Sequence, residues 1–424
     1  LTPTPLGLLA GGTELPPIYP GPSAPATTPA PPMPPAPATL PPLPGRADVV
    51  IIGGGIMGLA TAFHLAKRGK TNVVVVERAY INSGATGRCG GGIRAQWSTE
   101  QNVLLMKESI AICRDFAKEV GINIWLRQGG YLFVATRPEH MQAVEQNVAM
   151  QNRLGVPTRI LKPNEVSEIA PDVHTADLVG ACFNPDDGIM FPWPFLWGYA
   201  DGARQLGAKI HTFTPVTDID IEAGRVTGVV CDRGRIACDL VVNCAAAWAP
   251  EIAAMAGVEL PNRPERHEIL STESLRPFMN PLVSELGTGL YFSQSLRGEI
   301  VGGLGDPEQP AGVETRSSLR FVMRMARALV HRMPRLARVK VLRQWAGCYD
   351  MTPDGNPIIG ETKAVAGFYQ LHGFMGHGFM MAPAVTKLVA AHIADGKDHP
   401  FFRDNRLERF SDGTPIQAET MIIG

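Results

Sequence analysis

The run Gly53-Gly54-Gly55-Ile56-Met57-Gly58 sets glycines at the G-x-G-x-x-G spacing between an apolar stretch and a helical pattern. In that context Gly53 permits a tight turn, Gly55 lets a pyrophosphate approach the backbone, and Gly58 allows a helix to pack closely on a strand. Ile56 and Met57 open the helix whose N-terminus faces the anion. Glu77 lies 19 residues after Gly58 and closes a β-branched run. A carboxylate there accepts hydrogen bonds from ribose hydroxyls and disfavours a 2′-phosphate. A glycine turn beside an incidental surface glutamate would explain either feature alone, but the spacing and flanks together favour a bound dinucleotide. They do not separate FAD from NAD.

Three later segments favour FAD. The glycine-dense stretch from Ser83 to Arg94 would let backbone approach a flat ring closely, because few side chains intervene. Arg78, Ser83, Thr86, Arg88, Cys89, Gly90 and Gly91 are the candidate contacts there. The run Val241-Val242-Asn243-Cys244-Ala245-Ala246 ends a strand in small residues, so Asn243 and Ala245, with Val216 on a neighbouring run, offer a second pass of backbone. Finally, Gly376-His377-Gly378-Phe379-Met380 opens a helix, whose free N–H groups and positive dipole end suit the anionic N1/C2 edge of a reduced flavin.

The elements that must position these residues follow from periodicity. Residues 48–52 read as a buried strand, 55–68 as a helix and 72–77 as a second strand, a βαβ unit. Helical spacing recurs over 100–120, 138–154, 195–206, 316–332 and 378–394; strands are expected at 131–135, 209–213, 217–221, 226–231, 240–244 and 367–371, with turns at Ala223-Gly224 and Arg233-Gly234. The fold class is mixed α/β (α+β): a Rossmann-like FAD-binding domain over 47–95, 160–258 and 345–424, interleaved with a substrate or interface domain over 96–159 and 259–344 on an antiparallel or mixed sheet.

Residues 1–46 hold 16 of the 37 prolines and two charges, Glu14 and Arg46, which marks a tail or linker, or a strap on a partner. Lysine plus arginine (39) nearly balance aspartate plus glutamate (40), so no global field draws nucleic acid or an anionic membrane. Seven cysteines without a C-x-x-C pair argue against disulfides and zinc and fit a reducing cytoplasm. No apolar run approaches the roughly 20 residues of a spanning helix, and no basic-then-apolar leader stands at the start; the reading is neither anchor nor signal peptide and no metal.

The segments 47–77, 86–97, 345–360 and 374–383 together resemble the glycine/D-amino-acid oxidase superfamily. Within it, the motifs from Gly92 to Trp97, Trp345 to Tyr349, Thr352 to Pro357 and Gly376 to Pro383 resemble the β subunits of dye-linked L-proline dehydrogenase and heterotetrameric sarcosine oxidase, the former more closely. The resemblance implies noncovalent FAD, oxidation of an amino acid, and electron passage through FMN at the contact with a second flavoprotein subunit. Aligned on Tyr349, Thr352 and Asp354, Gly347 falls where monomeric sarcosine oxidases link flavin to cysteine. Cys348, one residue on, points the other way in a strand, leaving a structural thiol or a covalent attachment. Pro192 falls at the FMN-linking histidine of the heterotetrameric enzymes, so any FMN would be noncovalent. Gly303 falls at the lysine that promotes oxygen reduction in the monomeric enzymes, implying a dehydrogenase unless Lys387, Arg88 or a partner supplies a cation.

Arg94 matches an arginine that binds substrate carboxylate in the monomeric relatives, with a structural ion pair as the alternative; their second carboxylate ligand, a lysine, corresponds to Met380. His377 suits orienting the backbone against the flavin edge better than base catalysis. His267 and Tyr291 are candidates for the substrate pocket or the plain core, and Trp193 and Trp197 for packing or an interface. The reading is an FAD-dependent dehydrogenase subunit oxidising the C–N bond of a small secondary amino acid, L-proline first. The rivals are a sarcosine-oxidase-type or opine- or hydroxyproline-oxidising subunit, an oxidase, a noncatalytic flavoprotein assembly subunit, and an NAD-dependent dehydrogenase.

Overall fold

The computed structural model describes residues 36–37, 39–413 and 416–422. The expectation of a tail over residues 1–35 and 38 therefore lies outside the described residues.

The β-branched runs Val49–Ile52 and Val73–Val76 are buried at every position. Strands covered on both faces read as continuous apolar runs. Alternate side chains feed two cores: Val49, Ile51, Val73 and Val75 face one, Val50, Ile52, Val74 and Val76 the other. These strands belong to a six-stranded sheet ordered Ile358–Glu361, Phe368–His372, Val241–Asn243, Val49–Ile52, Val73–Val76, Lys209–His211, parallel except at the first pair. Helices Ile56–Lys67, Glu100–Val120, Pro192–Gln205 and Gly378–Asp395 cover one face. Helix Ala249–Met255 and the antiparallel strands Val216–Glu222, Arg225–Cys231 and Gly234–Ala237 cover the other.

A second sheet of eight strands runs from Val341–Met351 and Arg263–Ser274 to Gly180–Asn184 and Arg159–Leu161; one of its pairs, Leu282–Glu285 with Tyr131–Ala135, is parallel, so the sheet is mixed. Helix Leu319–Arg332 packs Phe321, Met325 and Leu329 against it. That helix begins three residues later than the periodicity from residue 316 suggests, because the Ser318 side chain accepts from the Phe321 N–H and caps it there.

The pairing redraws the expected domain boundaries. Strands Arg159–Leu161 and Gly180–Asn184, and most of Val341–Met351, hydrogen-bond into the eight-stranded sheet although 160–258 and 345–424 were expected on the cofactor side. Helix Glu100–Val120, expected on the substrate side, shares the cofactor-side core through Val103, Met106 and Phe116, since its apolar stripe matches the helix Gly378–Asp395. Packing also begins inside the expected tail of 1–46: Leu43 packs on the three-stranded sheet, and Arg46 pairs with Asp239. No helix among the described residues is long and apolar enough to cross a membrane.

Candidate active site

A cleft of about 780 Å³ opens at the C-terminal ends of the parallel strands, lined by Ile52 and Val76. In open parallel sheets this is where dinucleotides bind. The glycines there have distinct jobs. A Cβ on Gly53, whose φ is +117°, would come within 2.5 Å of the Cys244 carbonyl oxygen, and one on Gly58 within 2.0 Å of the Gly53 oxygen. A Cβ on Gly55 would meet only the Thr86 hydroxyl, at 3.5 Å, so Gly55 faces open cleft. Thr86 also accepts from the Ile56 N–H at 3.1 Å, tying the ring loop to the helix start.

Glu77 accepts from the N–H groups of Gly54 (2.7 Å) and Ala79 (2.8 Å) and from the Ser83 hydroxyl (3.3 Å). A carboxylate has about four acceptor positions, so acceptor capacity remains on the cleft-facing side for a ribose hydroxyl. Arg78 lies 3.9 Å from the centre of the Trp248 ring, and both line the cleft, a flat surface suited to a planar base. At the other end the first turn of Gly378–Asp395 presents Gly376, Gly378 and Phe379. Its first N–H groups have no carbonyl within the helix to bond. Volume, open glycine floor, ribose carboxylate and helix-end donors together fit FAD.

Ile56, Met57, Arg78, Ser83, Arg88, Cys89, Val216 and Ala245 line this cleft. Asn243 does not. Its amide donates to the Ala249 carbonyl and Gln370 and its oxygen accepts from the Ala245 N–H, all in a fully buried position, so it shapes the strand end rather than touching a ligand. Gly58 likewise acts in packing alone.

A second, smaller cavity of about 80 Å³ shares the walls Ala85, Arg88, Cys89, Cys348, Gly376 and Phe379 with the cleft. Gly90, Gly91, Gly347, His377 and Met380 line this cavity and not the cleft. Its far side is aromatic. His267 stacks against Tyr349 (centroids 4.5 Å apart, planes 10°) and Tyr291 (5.6 Å, 17°), and its Nε2 lies 3.0 Å from the Tyr291 hydroxyl. Burial pushes His267 down to about 4, so it is neutral at neutral pH. His377 is pushed down to about 3 by burial and then by the Arg94 charge. With its Nδ1 2.9 Å from the Met375 carbonyl and Nε2 3.2 Å from Arg94 Nη2, it has no lone pair free to take a proton. Its place is orientation of the Met375–Gly378 turn.

Arg94 lines neither space. The guanidinium is fully buried, 4.2 Å from the Trp97 ring, and donates to the carbonyls of Gln96 and Met421. Asp187 imposes this course by accepting from the Ala95 N–H (2.7 Å) and Gln96 Nε2 (3.0 Å), which turns residues 94–97 inward. Lys387 is also remote, paired with Glu108 at an exposed position, and leaves Arg88 as the cavity-lining cation among the described residues. Arg88 donates to the carbonyls of Ser83 (3.1 Å) and Ala346 (2.8 Å). The buried Cys348 thiol donates to the Glu314 carbonyl, as a structural thiol would. Trp193 and Trp197 pack edge to face, with Trp197 exposed.

Sequence reasoning missed Tyr131, Tyr349, Trp248 and the 313–316 loop. Tyr349 carried a signal: it alternates with Cys348 and Asp350 on one strand. The loop carried none, since tertiary folding alone brings it to the cleft.

The DAO family of FAD dependent oxidoreductases matches residues 48–392, and the chain belongs to it. The sarcosine oxidase β subunit of Rhizobium meliloti (strain 1021) is 33% identical over 377 residues, covering 88% of this chain and 90% of that one. The corresponding subunit of Rhodobacter capsulatus is 30% identical over 373 residues, 87% of this chain and 89% of that one. The crystal structure of L-proline dehydrogenase from P. horikoshii superposes with a TM-score of 0.84 at 36% identity, covering 88% of this chain and all (100%) of that one.

Proposed function

We propose that this chain is the FAD-holding catalytic subunit of a dehydrogenase that oxidises the C–N bond of a small secondary amino acid, L-proline first, and passes electrons to a partner flavoprotein or a dye or quinone acceptor. The observation that carries this reading is the small aromatic cavity sharing a wall with the dinucleotide cleft. Similarity to the sarcosine oxidase β subunits and to L-proline dehydrogenase supports the substrate class and a hetero-oligomer; an FMN at the subunit contact would be noncovalent, since Pro192 falls at the linking histidine of the heterotetrameric enzymes.

When bound, FAD supplies the two-electron acceptor. The chain's residues supply position and protonation state. Tyr291, Tyr349, Tyr131 and His267 wall the cavity with neutral rings, since burial pushes Tyr131 up to about 12 and Tyr291 and Tyr349 well above the ordinary phenol value. A desolvated cavity of neutral rings whose lining charge is the Arg88 guanidinium disfavours an ammonium, so the substrate amine sheds its proton to solvent on entry and needs no protein base. His377 fixes the turn that brings Gly376 and Met380 to the cavity wall, which positions the reacting carbon.

Anaerobic mixing with proline, hydroxyproline, sarcosine and opines tests the reading: loss of the oxidised-flavin absorbance with proline is expected, and no bleaching by any of these amines overturns it. An oxidase is the second reading, favoured by Arg88 on the shared wall as a cation able to stabilise reduced oxygen. Rapid reoxidation in air with stoichiometric peroxide would select it.

A further inference from the structure

Arg94 is a buried cation without a bonded anion. Its contacts are the carbonyls of Gln96 and Met421, the His377 imidazole, the Trp97 ring and the Tyr131 hydroxyl, all neutral, and its Nε has no partner. Asp187 and Glu419 act on it only at longer range. Asp187 is committed to Ala95, Gln96 and Asn184. A guanidinium so placed is stabilised by an anion set directly against its fork.

The Met421 carbonyl belongs to residues 416–422, a segment with no helix or strand. Glu419, buried, fastens it to the start of helix Glu100–Val120 by accepting from the Ser98 N–H (3.0 Å), the Ser98 and Thr99 hydroxyls and Asn102 Nδ2 (2.9 Å). Gln417 and Thr420 add contacts to Ser98 at 3.3 and 2.9 Å. The Met421 side chain packs with Tyr131, Leu282 and Tyr291, which wall the small cavity. The Tyr131 ring stands 6.0 Å from the Arg94 guanidinium, so Arg94 lies one side chain behind that wall.

We propose that residues 416–422 are a specificity-determining strap: the Met421 carbonyl holds the Arg94 donor that a substrate carboxylate takes when the strap lifts. The proposal rests on the amino-acid reading above. Lifting the strap removes the Glu419 charge and the Met421 carbonyl from Arg94 together, and an incoming carboxylate replaces both. A neutral amine offers no such replacement and leaves the strap seated. The strap is held by side-chain contacts from the start of helix Glu100–Val120, from Arg94 and from Asn356, whose Nδ2 donates to the Gln417 carbonyl at 3.2 Å, and by the packing of Met421, but by no sheet, so it can detach as a unit.

The test uses the intact holoprotein and acetate, with acetamide as the neutral counterpart, read from the flavin spectrum. Glu419→Gln weakens the strap's docking and should tighten acetate about tenfold, the scale of one hydrogen bond to a charge, with acetamide and flavin content unchanged. Hydrogen exchange at the Thr420 and Met421 amides should quicken when acetate saturates the unaltered protein. Gln417→Ala, which loosens the strap away from Arg94, should act in the same direction and decides the matter if Glu419→Gln fails to fold. In the Arg94→Gln background the tightening should vanish. Weaker or unchanged acetate binding in both strap variants, or tightening that survives Arg94→Gln, overturns the proposal. Acetate tightening without bleaching by any amino acid would keep the strap and sink the dehydrogenase reading; bleaching by proline with no strap effect would do the reverse.

Discussion

The cofactor cleft and the small cavity share a wall but are built differently. The cleft is made by backbone: Gly53 and Gly58 sit where a Cβ would strike a carbonyl, and Gly55 where one would stand in the open space. The cavity is made by rings, His267 between Tyr291 and Tyr349, held by stacking and one hydrogen bond. Backbone sites tolerate no side chain and so fail completely, whereas side-chain sites lose function by degrees.

The largest effect should come from Gly55→Val. Its nearest neighbour is 3.5 Å away, so the chain should fold, yet the side chain fills the pyrophosphate's space and FAD retention should fall to near zero. Normal flavin absorbance in the purified variant would break the comparison at its root. Next comes Gly303→Ala on the cavity side. Its Cβ would stand 2.6 Å from His267 Nε2 and 2.8 Å from the Tyr291 hydroxyl, so the ring stack must shift. With FAD still bound, kcat/KM should drop on the order of a hundredfold through misplacement of substrate. Flavin loss parallel to the activity loss would erase the distinction between the two regions. Tyr291→Phe removes one hydroxyl and should raise KM roughly tenfold, with kcat little changed; an unaltered KM would remove Tyr291 from the pocket.

The smallest effect concerns acid stability. Burial pushes His64, His267 and His377 down to about 3, 4 and 3. The unfolded chain binds these protons near the ordinary value of about 6.5, the folded chain only well below it, so stability falls as pH drops from 6.5 toward 4. Asp187 has the opposite sign: burial pushes it up to about 7, so the folded state takes its proton in the same window and offsets one of the three histidines. The thermal midpoint should decline by several degrees, roughly, between pH 7 and pH 5, and Asp187→Asn should steepen the decline. A midpoint that rises on acidification would contradict this balance.

The same division explains what was legible. Glycine spacing, β-branched runs and a carboxylate at a strand end announce the cleft because local conformation dictates each of them. The cavity draws on Tyr131, His267, Tyr291 and Tyr349 from four strands of one sheet, and nothing local distinguishes a pocket tyrosine from a core one. Arg94 shows the limit from the other side: the motif placed it near the flavin turn, but Asp187, 93 residues away in sequence, decides which way residues 94–97 bend. The glycine at 303 was expected to mark a missing cation; the structure gives it a steric reason, since room for the His267–Tyr291 pair requires it.

Strand Val341–Met351 threads between the two spaces, with Gly347 and Tyr349 on the small cavity, Asp350 on the cleft and Cys348 reaching both. Neighbouring positions on a strand look in opposite directions. Point substitutions at Tyr349 can therefore retune which amine is accepted while the cofactor wall stays as it is, which gives selection a route to new substrates. A one-residue insertion or deletion in that strand has no such freedom: it exchanges the two faces, setting the phenol toward the dinucleotide and the carboxylate toward the amine. Diversification along this strand should proceed by replacement at fixed length.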